Sequence, residues 1–217
     1  MTIVPPSVLK AMAFIDGQNL YRHAKEAFGH HHPNYDVVKL HAAVCALKGW
    51  KPNLVRFYTS IPSPHEAPMW AAYWSARVLA MKRAGVHVTT RAIRYQKEAI
   101  PQTDGTMKTV TQSHEKGIDV RLALDVVQCA RTRQYDVVVI YSQDQDLSEL
   151  AAEVRAIADE QARTIKVVCA FPDGPYASLK RGIDKTDWIR IDQALYDTCL
   201  DPHDYRPKQS VVAAATF

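Results

Sequence analysis

The sequence predicts a three-layer α/β/α sandwich built on a mainly parallel central sheet of about five strands. Three observations predict it. Short apolar, β-branched runs recur at residues 11–15, 53–61, 86–95, 136–140 and 164–171. Amphipathic stretches of helical length separate them, and strand–helix alternation builds a parallel sheet with right-handed crossovers. Two of the runs lead straight into acid-bearing turns, Asp16-Gly17-Gln18-Asn19 and Ser142-Gln143-Asp144-Gln145-Asp146. In open α/β sheets that carboxyl edge is where ligands bind.

Composition narrows the class further. A chain of 217 residues suits one domain with a full core. Its net charge of +4 permits a polyanionic partner. Cys45, Cys129, Cys169 and Cys199 are widely spaced and form no C-x-x-C, which fits free thiols in a reducing cytoplasm. No apolar run reaches membrane-spanning length, and the N-terminus lacks a signal-peptide core. The expectation is therefore a cytoplasmic protein with no membrane partner.

In chain order, residues 1–10 contain Pro5-Pro6 and are expected to be a flexible N-terminal arm. Residues 11–200 form the domain, and residues 201–217 a mobile C-terminal tail. The first strand opens a helix running to about Phe28. His30-His31-His32 follow in a loop; adjacent histidines seldom converge on one ion, so a solvated loop is expected. The next helix, 36–48, carries an apolar stripe of Val37, Leu40, Val44 and Leu47. After the second strand, prolines punctuate a loop. A long helix over 66–84 then places Trp70, Tyr73, Trp74 and Arg77 on one face. That stripe is expected to be core, with a base-stacking surface or a homodimer contact as the alternative. The third strand, 86–95, leads into polar residues 96–113, where Thr103-Asp104-Gly105 signals the turn of an exposed hairpin. Arg91, Arg94, Lys97, Lys108 and Lys116 make this the chain's best basic patch, of the kind that contacts phosphates. A helix to about Arg131 follows, with Asp119 in its first turn and Asp125 pointing away, as a structural residue or one that supports the site from behind. The fourth strand, a helix over 148–161 and the fifth strand come next. Ser178-Leu179 starts or caps a short helical piece, and 188–191 adds an edge strand.

The chemistry lies in the acids. Asp16 and Asp144 each end a core strand, and each could simply cap the following helix. If the first and fourth strands are neighbours, Asp16, Asn19, Asp119, Asp144 and Asp146 meet in one cleft. Carboxylates and an amide without histidine suit Mg²⁺ or Mn²⁺ rather than Zn²⁺. The cation would carry phosphate charge at the reacting centre while lysines and arginines hold flanking phosphates.

Three motifs, Phe14-Ile15-Asp16-Gly17-Gln18-Asn19-Leu20, Lys116-Gly117-Ile118-Asp119-Val120 and Ser142-Gln143-Asp144-Gln145-Asp146-Leu147, resemble in order and spacing those of the NYN family of the PIN-like nuclease superfamily. A weaker match extends to about residue 191. The resemblance implies a PIN-like fold and a metal-dependent ribonuclease. Asp16, Asp119, Asp144 and Asp146 would be its metal-binding and catalytic acids, and Asn19 a further catalytic position. Lys116 and Ser142 would lie against the RNA, with Ser142 hydrogen-bonded to an Asp144 oxygen or to a phosphate. The chain departs from the pattern at Gln143, where the family usually has glycine, and at Leu147, where it usually has an aromatic residue. The leading expectation is an endoribonuclease of single-stranded or structured RNA. The alternatives are a non-catalytic RNA-binding module with a structural metal, a 5′-nuclease acting on DNA, and an aspartyl phosphatase. The last would need a second acid at position 18, where this chain has Gln18.

Overall fold

The computed structural model describes residues 8–32, 34–101, 107–114 and 116–207. Most of the expected N-terminal arm (1–7), the hairpin turn Thr103-Asp104-Gly105 and the last ten residues of the expected tail lie outside them.

Strands β1 (Lys10–Asp16), β2 (Lys51–Ile61), β3 (His87–Ala92), β6 (Val137–Tyr141), β7 (Lys166–Pro172) and β8 (Asp187–Ile191) form one sheet in the order β3-β2-β1-β6-β7-β8. Every pairing in it is parallel. Six strands rather than about five make the sheet, because the edge strand β8 joins it.

The central strands are buried on both faces, so their side chains alternate between two cores. Ala11, Ala13 and Ile15 of β1 join Val137, Val139 and Tyr141 of β6 in one core, with residues of α1 (Gly17–Phe28), α2 (Val37–Lys48) and α3 (Pro68–Arg83). Met12, Phe14, Val138 and Ile140 face the other, with α4 (Ile118–Arg131) and α5 (Glu149–Glu160).

Several expectations are corrected. The strand expected over 86–95 breaks at Ile93. Its N–H reaches the Ile61 carbonyl at 3.0 Å, and Pro62, which has no N–H, prevents β2 from continuing the ladder. The chain therefore turns away into a separate antiparallel pair, β4 (Arg94–Pro101) with β5 (Met107–His114), the expected hairpin. Leu47 does not belong to the α2 stripe: it is 59% exposed, and His41 and Cys45 are buried there instead. No helix starts at Ser178-Leu179. The Ser178 N–H donates to Glu26 and the Leu179 carbonyl accepts from Gln143, so this backbone is satisfied without one. A 3₁₀ turn, Gln145–Leu147, precedes α5. A short helix, α6 (Gln193–Thr198), capped by Asp192, was not anticipated.

Helix α2 and the sheet enclose a buried polar group. His41 is 1% exposed; its Nε2 lies 3.0 Å from the Ala11 carbonyl and its Nδ1 3.2 Å from the Tyr141 hydroxyl. A carbonyl only accepts, so Nε2 carries a proton, and in the neutral ring Nδ1 accepts from the Tyr141 hydroxyl. Burial holds the His41 pKa below its usual value, outweighing the bond to Ala11 that raises it. The unfolded chain then takes up the proton first as pH falls below about 6.5. Stability is lost on acidification from there, at up to about 1.4 kcal/mol per pH unit. Urea titrations across this range should show a steeper acid loss in wild type than in His41→Gln. Equal slopes would mean that His41 takes up its proton over the same pH range in both states.

Candidate active site

The site forms where β1 and β6 run side by side, with Ile15 paired to Tyr141. Asp16 ends β1 in extended geometry and caps α1, its Oδ1 accepting from the Asn19 N–H at 3.0 Å. The helix begins flush against β2: a Cβ added at Gly17 would lie 2.3 Å from the Phe57 ring, so only glycine lets α1 start there. Asn19 reaches across to the second turn, its Oδ1 accepting from the Gln143 N–H at 2.9 Å. Ser142 links the two turns through the Asp16 carboxylate and the Asp144 N–H rather than through the expected Asp144 oxygen. Its hydroxyl stands 3.5 Å from Asp16 Oδ2 and accepts from the Asp144 N–H at 3.2 Å. Asp144 in turn accepts from the Asp146 N–H at 3.1 Å.

Asp16 and Asp144 are thus both caps, and both line one open cavity of about 440 Å³ with Gly17, Gln18, Asn19, Tyr21, Arg22 and Trp74. Capping does not exhaust them, since an ionised carboxylate has about four acceptor sites. The other two expected acids do not line this cavity. Asp119 stands half-buried in the first turn of α4, in the layer on the opposite face of the sheet from α1. Asp146 is exposed on the 3₁₀ turn. Among the described residues no three His, Cys, Asp or Glu side chains are grouped closely enough to hold an ion by themselves. Mg²⁺ does not require that: it is generally held by one or two carboxylates, with waters and substrate phosphates completing the octahedron. Asp16 and Asp144 fit that role.

Among the described residues, none of the expected basic ones lines this cavity. Arg91 ends the β3 region against the start of α4, its Cζ 3.8 Å from where a Gly117 Cβ would stand. Lys116 beside it is exposed. Arg94 and Lys108 are exposed on the hairpin, where Ile100 pairs with Lys108, so both lie on one of its faces about 20 Å apart. The Lys97 backbone pairs with Thr111; its side chain lies outside what the structure describes.

Two cavity residues escaped the sequence reading. Arg22 and Tyr21 lie one helical turn beyond Asn19 and Gln18, and that i, i+3 spacing is the signal that could have found them.

The family model of the NYN domain matches residues 10–174. The chain belongs to the NYN domain family. It is a member of the PIN-like nuclease superfamily, whose domains generally use divalent metals and act on nucleic acid. No curated protein matches it. Among solved structures, a protein of unknown function from Vibrio parahaemolyticus is 17% identical with a TM-score of 0.49, covering 88% of this chain and 98% of its own. No helix among the described residues is long and apolar enough to cross a membrane.

The two departures of this NYN domain from the family motif have structural partners. Gln143 is buried, and its Nε2 donates to the Leu179 and Arg181 carbonyls at 3.1 and 2.8 Å. Gln145 adds bonds to the Gly182 carbonyl and the Asp184 N–H. Gln143 does not adopt a positive φ, so the turn does not demand glycine. Leu147 is buried in the core beneath α5. Gln143→Gly should therefore cost about 1–3 kcal/mol and speed amide exchange selectively in 179–184. Unchanged exchange there would show that the loop is held by other contacts.

Proposed function

We propose that this NYN domain is a metal-dependent endoribonuclease hydrolysing phosphodiester bonds of single-stranded or loop RNA at the Asp16–Asp144 cavity. The observation that carries this reading is the convergence of carboxylates from two adjacent strand ends on one open cavity that also contains a cation, Arg22. Asp16 and Asp144 would hold Mg²⁺ or Mn²⁺. When bound, the ion supplies Lewis-acid polarisation of the phosphate and acidifies water.

The remaining roles belong to the chain. Ser142 and Asn19 keep the two acid-bearing turns in register. Asp119 and Asp146 stand at the same sheet edge and complete the acid set, acting through water. Arg22 and Lys116 lie against the reacting or adjacent phosphate. Arg91, Arg94, Lys97 and Lys108 hold phosphates further along the strand, which makes binding salt-dependent. RNA as the substrate rests on the family resemblance; the residues themselves call for a phosphodiester.

Labelled structured RNA, with the matching DNA beside it, should be cut by the purified chain in Mn²⁺ or Mg²⁺ and spared in EDTA. Asn caps as well as Asp does, so Asp144→Asn removes charge with little effect on the fold. It should slow cleavage about a hundredfold or more. Cleavage that persists in EDTA or in Asp144→Asn would sink the reading. RNA binding without cleavage would point to the non-catalytic module, and preferential cutting of DNA to the 5′-nuclease.

A further inference from the structure

A second cavity adjoins the acidic one. It has a volume of about 510 Å³, within the usual range for small-molecule sites, and lies between the aromatic face of α3 and the segment 201–206. Tyr21 and Trp74 line both cavities, so the two share a wall. We propose that this aromatic cleft is a subsite for an unpaired nucleobase of the strand whose phosphate lies in the acidic cavity; the inference rests on the proposed nuclease reading.

The walls separate a base from a phosphate as occupant. Arg77, the cation in the floor, is buried and already committed: it donates to Asn34, to the Tyr73 hydroxyl and to the Tyr35 carbonyl. Arg206 at the rim is paired with Asp204 through both carboxylate oxygens. Neither cation is available to an anion, while the acidic cavity next door has Arg22. What the cleft offers is aromatic surface. Trp74 is held in place, with the Arg77 guanidinium 5.4 Å from its ring centroid and the Phe57 ring tilted at 6.3 Å. Tyr73 is 6% exposed and meets Trp70 edge-on at 5.6 Å. Trp70, by contrast, is 44% exposed. An indole fixed at its edge and open to solvent is a stacking platform, and every base has a π-face to lay on it.

Affinity of the full-length protein for an unstructured RNA oligonucleotide would be measured in EDTA, for wild type, Trp70→Ala and Trp70→Phe. A matching set of oligonucleotides would carry a single abasic position. Trp70→Ala should weaken binding about tenfold, and Trp70→Phe should recover most of it. One abasic position should weaken wild type by a similar factor and leave Trp70→Ala unaffected, since the base and the indole then form one coupled contact. Unchanged affinity of Trp70→Ala, equal loss at every abasic position, or no binding by wild type would overturn the subsite. A concentration-dependent dimer mass lost in Trp70→Ala would also overturn it, assigning the cleft to a second copy. Cleavage by wild type in Mn²⁺ is scored separately, so a failed subsite and a failed nuclease reading are distinguishable.

Discussion

The bond from the Gln143 N–H to Asn19 Oδ1 ties together the two turns that follow the paired strands β1 and β6. Each turn ends a central strand and carries a carboxylate. Two carboxylates held at neighbouring strand ends repel each other, and the scaffold must offset that. It does so with oriented dipoles. Asp16 sits at the N-terminus of α1, where the backbone N–H groups favour negative charge, and takes the Asn19 N–H. Asp144 takes the Asp146 N–H, and Ser142 stands between them. The cavity lies between these two turns, and Gly17 lets α1 start close against the Phe57 ring.

Net positive charge is a poor guide to which cations meet a substrate, because many are spent inside the molecule. Arg56 and Arg121 both pair with the buried Asp125, which also accepts from the Tyr58 hydroxyl at 2.8 Å. Arg163 braces the Tyr135 and Ala130 carbonyls. Arg77 holds the aromatic floor of the second cavity. Arg22, Arg91, Arg94, Lys108 and Lys116 make no ion pair with a described residue, and four of these five were already singled out by their positions around the hairpin. The paired arginines are thereby committed to the fold, as where Arg56 of β2 and Arg121 of α4 meet on Asp125.

The aromatic stripe on α3 shows how a helical pattern can divide along its length. Trp70, Tyr73, Trp74 and Arg77 share a face, as their spacing requires. The far end packs on Phe57 and the Tyr35 region, while Trp70 in the first turn is left exposed. Periodicity reports which residues share a face; it does not report where the partner surface stops. Leu47 on α2 illustrates the same limit in the opposite sense, since a plausible core position lies in a last turn that solvent reaches.

The sequence by itself determined the fold class, the parallel order of strand and helix, and the placing of Asp16 and Asp144 at strand ends. All three follow from local patterns: apolar runs of strand length, helical periodicity and capping residues act over a few neighbours. Only the tertiary structure decided that β1 and β6 adjoin, that Asp16 and Asp144 share a cavity while Asp119 and Asp146 do not line it, and that Arg22 and Trp74 complete its wall. It alone also explained Gln143, whose partners lie 36 and 38 residues away. These are relations between residues far apart in the chain, set by sheet order and by which face each crossover covers, and no local propensity encodes them.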